Sequence, residues 1–239
     1  MKIIITSLCA IGASAFTPSL NNAKTSSLQA VNWAPDENAF AYGLPGTLDP
    51  VPDFDPFNLS EGESLATIKK WREAETQHGR VAMLAFVGLL ITEEPIAYHP
   101  LFEAYNKDIG PAIRHLDEVR ITSPIFFELF ALFIGALEVN RALLGWKSPD
   151  GEFTKDVGKF QELKDDYYPG DINFDPLGLK PDDAGEFFEM STKELQHGRV
   201  AMLATAGIIA QELTNGKEIF VNLGLTEDKF DPSTVPIAF

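Results

Sequence analysis

Among 239 residues there is a single cysteine, Cys9, and it lies in the first apolar stretch of the chain. A lone thiol in a segment that reads as a removable leader excludes disulfides and thiolate chemistry from the rest. Positive charge is also scarce, with 19 Lys and Arg against 35 Asp and Glu and a net charge of -16. No basic patch is available to neutralise phosphates, which excludes nucleic-acid binding. The sequence has no phosphate-binding glycine loop and no nucleophile motif of a hydrolase. The apolar run Val81 to Ile91 is short too, at only 11 residues, a length more typical of a buried or interfacial helix than of a bilayer span.

What is present starts with "MKIIITSLCAIGASAF", one Lys, a short apolar run and the small-residue "ASA" of a signal-peptide cleavage site. Residues 16–30, "FTPSLNNAKTSSLQA", are rich in Ser, Thr and Asn and contain no acid, which is the composition of a transit peptide. Two addresses in tandem resemble the bipartite leader of plastid proteins in algae whose plastid lies inside an endomembrane. Residues 1–30 are therefore read as removed, and 31–239 as one domain.

An internal repeat organises that domain. "ETQHGRVAMLA", from Glu75, returns 119 positions later as "ELQHGRVAMLA", from Glu194, and each copy follows a turn-rich acidic loop, "FDPFNL" from Phe54 and "FDPLGL" from Phe174. Ser64 and Ser191 are the expected N-caps, with helices at about 65–91 and 192–213. Between them "SPIFFELFALFIGALEVNRALLGW", 123–146, reads as a helix of about 21 residues and about 32 Å, enough to cross a hydrocarbon core of about 30 Å. The expected fold is an all-α membrane protein of three transmembrane helices, the first and third crossing as a pseudo-two-fold pair.

The polar residues of the repeat support that crossing. Arg80 lies five residues after Glu75, rotated about 140° around a helix, so the two cannot pair within one copy. Two copies packed about a two-fold axis solve this: Glu75 meets Arg199 and Glu194 meets Arg80. Charges at membrane depth require such pairing. Gly79, Ala82 and Ala85 in one copy and Gly198, Ala201 and Ala204 in the other permit close approach. The glycines beside His78 and His197 also read as room for something lying against the imidazoles, because glycine costs about 1 kcal/mol inside a helix.

A doubled helical Glu-x-x-His admits two chemistries. One is a di-iron or di-manganese carboxylate bundle, in which two more helices would each add a Glu; the arginines count against it, since they would repel a dinuclear cation and occupy its bridging carboxylates. The other gives each donor its own metal, a magnesium already chelated by a chlorin and needing one axial oxygen or imidazole nitrogen. That reading accounts for Glu, His, Gly and Arg together.

The repeated motif, the "FDPLGL" loop, "EVNR" at Glu138 to Arg141 and the two-part leader resemble the chlorophyll a/b-binding superfamily. More narrowly they resemble the fucoxanthin chlorophyll a/c-binding proteins of diatoms and related algae, over about Pro52 to Leu213. The resemblance implies that Glu75, His78, Glu194, His197, Glu138 and Gln211 are axial ligands of chlorophyll magnesium. It makes Arg199, Arg80 and Arg141 the partners of the ligand carboxylates. His197 stands where the family often has Asn. Glu128 lies ten residues before Glu138, off the family's usual spacing of eight where this chain has Phe130, and is carried as a candidate ligand. No His occurs in the C-terminal stretch where the family has one, and His99 and His115 read as loop histidines.

The implied cofactors are chlorophyll a, chlorophyll c, fucoxanthin and a further xanthophyll of diadinoxanthin type, with two carotenoids cradled by the FDP loops. The implied function is a multi-pass thylakoid antenna that passes excitation to a photosystem I or II core beside other antenna subunits and thylakoid lipids, with no catalytic residues. A photoprotective, energy-dissipating member of the same fold is the alternative within the family. Nine Lys and Arg in the N-terminal flank and the 147–193 loop, against five in the first loop and C-terminus, put the N-terminus on the stromal side by the positive-inside rule.

Overall fold

A computed structural model describes residues 33–93, 95, 96, 98, 110–147 and 162–227. The leader, His99 and the end of the chain beyond residue 227 lie outside the described residues. Every regular element among the described residues is helical: α1 (Leu65–Thr92), α2 (His115–Thr122), α3 (Pro124–Gly145), α4 (Ala184–Asn215) and the single turn α5 (Ile219–Asn222). The only extended pairing among the described residues is one bridge, Trp146 to Leu163.

The ends of the helices follow local chemistry. The Ser64 side chain accepts from the Thr67 amide and starts α1. Pro124 starts α3 at a position where no amide is needed. Gly216, with φ 66°, closes α4 in the left-handed conformation and donates to the Glu212 carbonyl.

Two boundaries differ from the sequence reading. α4 starts eight residues early: its cap is Asp183, whose carboxylate accepts from the Gly185 and Glu186 amides at 2.9 and 3.1 Å, while Ser191 lies inside the helix. The extra turns hold because Phe187 packs on Tyr168, with ring centroids 5.4 Å apart. His115 is the first residue of α2 rather than a loop residue, and its ring contacts the Gly110 carbonyl.

α1 and α4 are about 42 and 48 Å long, and they cross at Gly79 and Gly198. A Cβ added to Gly79 would lie 3.0 Å from the Gly198 Cα, and one added to Gly198 would lie 2.9 Å from the Gly79 Cα. The expectation that these glycines leave room beside the histidines is corrected: both are buried, facing each other, and their missing side chains let the backbones touch. Thr205 adds a hydrogen bond to the Ala82 carbonyl at 3.3 Å. Among the described residues α3 meets this pair through Glu138 and Arg141; Gly145 lies against Tyr167, Phe126 and Phe127 pack on Val119 of α2, and residues 128–137 are exposed.

Polarity is inverted relative to a water-soluble core. Lys69, Arg72, Glu73, Glu93, Glu212 and Glu218 are buried. Among the described residues eleven hydrophobic ones are buried, while thirty-five large ones are exposed, including Leu129, Leu132 and Phe133 on α3. Soluble proteins almost never bury such charges while exposing a contiguous apolar surface of this extent. No single described helix is long and apolar enough to cross a membrane by hydropathy; 112–122 with 124–145, bent by 108°, qualifies only as a pair. In α3 the charges of Glu128, Glu138 and Arg141 are what keep it from qualifying alone.

Candidate functional site

The two Glu-x-x-His copies meet at the helix crossing. Arg199 Nε lies 2.7 Å from Glu75 Oε1, and Arg80 Nε lies 2.6 Å from Glu194 Oε1. Each arginine thus serves the other copy, as a five-residue separation on one helix demands. The surroundings then diverge. Arg199 also donates to the Gly46 carbonyl at 2.6 Å, and Arg72 brings a second guanidinium to Glu75. Its Nη1 is 3.2 Å from Glu75 Oε2, close enough for charge attraction but not aligned for a hydrogen bond. At positions equivalent to Arg72 and Glu73 the second copy has Ser191 and Thr192.

The two histidines are held alike. His78 Nδ1 is 2.7 Å from the Ala74 carbonyl, and His197 Nδ1 is 2.8 Å from the Lys193 carbonyl. A carbonyl oxygen only accepts, so Nδ1 carries the proton in each ring, and in the neutral imidazole Nε2 is then the nitrogen with the free lone pair. Both side chains are exposed. A backbone hydrogen bond that fixes the tautomer and ring orientation is the usual support of a metal-binding imidazole.

On α3, Arg141 donates through Nε and Nη2 to Glu138 Oε2 at 2.9 and 2.7 Å. Gln77, beside His78 on α1, approaches Glu138 Oε1 at 3.3 Å. The third arm of Arg141 donates to Glu73, a buried carboxylate with no place in the sequence reading. Glu73 also accepts from the Tyr167 hydroxyl at 3.1 Å and the Gly170 amide at 2.6 Å. Burial, with the Glu73 carboxylate alongside, pushes the Tyr167 phenol well above its usual range, so it stays protonated and donates. The one signal for Glu73 was its lack of a counterpart 119 residues later, and aligning the repeats discards such a residue.

Gln211 is half-buried on α4, and its amide has no partner among the described residues. Glu128 is exposed on the early part of α3, also without a partner there, and apart from the other candidates. Among the described residues no three His, Cys, Asp or Glu gather to hold a metal ion. The carboxylates a dinuclear centre would bridge are instead occupied by Arg80 and Arg199.

The FDP loops are built alike. Asp55 accepts from the Leu59 and Ser60 amides at 3.0 and 2.8 Å, and Asp175 from the Leu179 and Lys180 amides at 3.0 and 2.8 Å. Asn58 and Gly178 take the positive φ that each turn needs. These hydrogen bonds lower both carboxyl pKa values, led by the Ser60 hydroxyl at Asp55 and the Lys180 amide at Asp175. Each loop borders a cavity beside one ion pair. One of about 540 Å³ is lined by Phe174, Leu179, Met190, Arg80 and Glu194. The other, about 530 Å³, is lined by Leu48, Val51, Phe54, Glu75 and Arg199. Both are of the size that takes a small organic group.

Residues 40–213 match the model of the family described as chlorophyll A-B binding protein. The chain is 43% identical over 197 residues to light-harvesting complex stress-related protein 3.2 of Chlamydomonas reinhardtii, covering 81% of this chain and 72% of that one. It is 43% identical over 178 residues to a fucoxanthin-chlorophyll a-c binding protein of Isochrysis galbana, covering 74% and 79%. Similarity to chlorophyll a-b binding protein 6 of Arabidopsis thaliana is 31% over 183 residues, covering 77% and 68%.

Proposed function

This chain belongs to the chlorophyll A-B binding protein family, and from that premise we propose a three-helix antenna of the plastid thylakoid that holds chlorophylls a and c, fucoxanthin and a further xanthophyll. It is a light-harvesting, chlorophyll-binding protein and not an enzyme.

The observation that carries the ligand assignment is the pair of exposed imidazoles whose Nδ1 is committed to the helix backbone, which leaves Nε2 as a lone-pair donor at His78 and His197. A chlorophyll magnesium needs one such donor. Glu75, Glu194 and Glu138 are the carboxylate donors, each charge-compensated by Arg199, Arg80 or Arg141, so that a neutral ring is held without a bare buried charge. Gln211 supplies an amide oxygen, and Glu128 is carried as a further candidate. The bound chlorophylls supply light absorption. The chain fixes the position and orientation of each ring on rigid helices, and excitation transfer depends steeply on both.

Inverted polarity supports α1, α3 and α4 as spans of the thylakoid membrane. At the crossing the charges of α1 and α4 pair with each other, Glu75 with Arg199 and Glu194 with Arg80, while Val81, Leu84, Val200 and Leu203 face outward. The cavities beside the FDP loops are proposed to take carotenoid end groups. Likeness to a fucoxanthin-chlorophyll a-c binding protein supports the pigment set. Proposed partners are a photosystem core, other antenna subunits and thylakoid lipids.

The test is the absorption spectrum and pigment-to-protein ratio of the protein purified from its own membranes in mild detergent. Several chlorophylls per chain, with chlorophyll fluorescence excited through a carotenoid band, is the expected result. A colourless protein carrying about two iron atoms would overturn it.

An energy-dissipating role is the second reading, supported by the 43% identity to a protein named as stress-related. Chlorophyll fluorescence lifetime separates the two: a long lifetime in isolated protein at neutral and acidic pH fits harvesting, and a strongly shortened one fits dissipation.

A further inference from the structure

The three candidate carboxylate ligands that are paired with arginine differ in how much positive charge they receive. Glu75 lies between two guanidinium groups, Arg199 at 2.7 Å and Arg72 at 3.2 Å. Glu194 has one, Arg80 at 2.6 Å. Glu138 has to share its own, because Arg141 also serves Glu73. Glu73 is 3% exposed, so water does not screen its claim on the arginine.

The geometry of the shared arginine matters. Nη1 is committed to Glu73 Oε1 at 2.9 Å, while Nε and Nη2 converge on Glu138 Oε2. The planar fork cannot reach Glu138 Oε1 while it is held in this way. That oxygen keeps only the Gln77 amide at 3.3 Å, a long contact. Glu73 is itself locked by Tyr167 and Gly170, donors on a different segment of the chain.

We infer that Glu73 is the positioning residue of the Glu138 ligand: by holding one arm of Arg141 it keeps the cation on Oε2 and leaves Oε1 as the electron-rich oxygen that meets a chlorophyll magnesium. The Glu138 site thereby has the least compensated carboxylate of the three, and its chlorophyll has an absorption band set in part by a residue that never touches the pigment. This rests on the proposed reading of Glu138 as a chlorophyll ligand.

The test uses full-length protein reconstituted with its pigments. Glu138→Ala identifies the band, as the one chlorophyll lost from the wild-type absorption and circular dichroism spectra. Arg141 remains paired with Glu73 in that variant, so no buried charge is stranded. Glu73→Gln places an amide that donates opposite Arg141, and the freed fork closes on Glu138. The expected result is an unchanged chlorophyll count and a displaced Glu138 band, with the other bands in place. Gln77→Leu removes the last donor from Oε1 and is expected to move the same band in the opposite sense. Superimposable spectra, displacements in the same sense, or loss of several pigments together from Glu73→Gln would each overturn the inference. A full chlorophyll count in Glu138→Ala would instead refute the ligand reading beneath it.

Discussion

A histidine that binds a metal has to present one nitrogen and protect the other, and at residue scale the helix does this for His78 and His197 with the carbonyl four residues back. On the proposed reading, replacing His78 with Val removes one chlorophyll per chain and leaves the helix intact. Pigment extraction and far-ultraviolet circular dichroism check both parts. The FDP aspartates have a different dependence. Their pKa values are lowered in the folded loop, so they contribute stability above the ordinary carboxyl value of 3.8 and lose it as pH falls through the lower folded value. The loops are expected to hold at neutral pH and to loosen only below about pH 4. Carotenoid-band circular dichroism followed from pH 7 to pH 3 should show this late change, and Asp55→Ala should show the weakened signal already at pH 7. The imidazoles, the Glu–Arg pairs and these aspartates were all visible as a doubled pattern. Glu73 was not, because a residue present in one copy only gives no periodic signal.

At the scale of elements, the crossing of α1 and α4 depends on two glycines whose Cα atoms sit where a side chain would go. Gly79→Ala improves helix propensity by about 1 kcal/mol, yet it puts a methyl group 3.0 Å from the Gly198 backbone. Overpacking of this kind costs about 1–3 kcal/mol, so the variant is expected to melt below wild type. Gly88→Ala in the same helix is the control, since nothing lies within 4 Å of its added Cβ; it should not lower the melting temperature. The sequence pointed to small residues at the crossing but misassigned the glycines to the histidines, because two neighbours on a helix face different directions and a string of letters does not say which face meets the partner. The start of α4 was missed for a related reason. Asp183, with Glu186 three residues on, is a local capping signal, but the roughly two extra turns it opens are held by Phe187 packing on Tyr168, a residue outside the helix.

For the whole molecule the decisive feature is charge inside and apolar surface outside. Glu75→Ala strands Arg199 and Arg72 at the seam, and Arg199→Ala removes the hydrogen-bonded partner of Glu75. Breaking a fully buried pair costs about 3–5 kcal/mol. These side chains are 28% and 35% exposed, which places the cost at or below the low end of that range. Either variant is expected to fail to reconstitute with pigment, and Arg199→Lys, which keeps the positive charge beside Glu75, should restore part of the yield. Normal assembly of the single variants would show that the crossed pairs do not hold the helices together.

The sequence by itself determined the repeat, the reciprocal pairing of its charges, the turn chemistry of the two acidic loops and the family to which the chain belongs. Each of these is written in local spacing, and spacing on a helix dictates which residues can meet. Only the tertiary structure decided that Gly79 and Gly198 face each other and that Glu73 shares Arg141 with Glu138. These depend on where segments about 65 to 120 residues apart come to rest, and packing in three dimensions sets that distance.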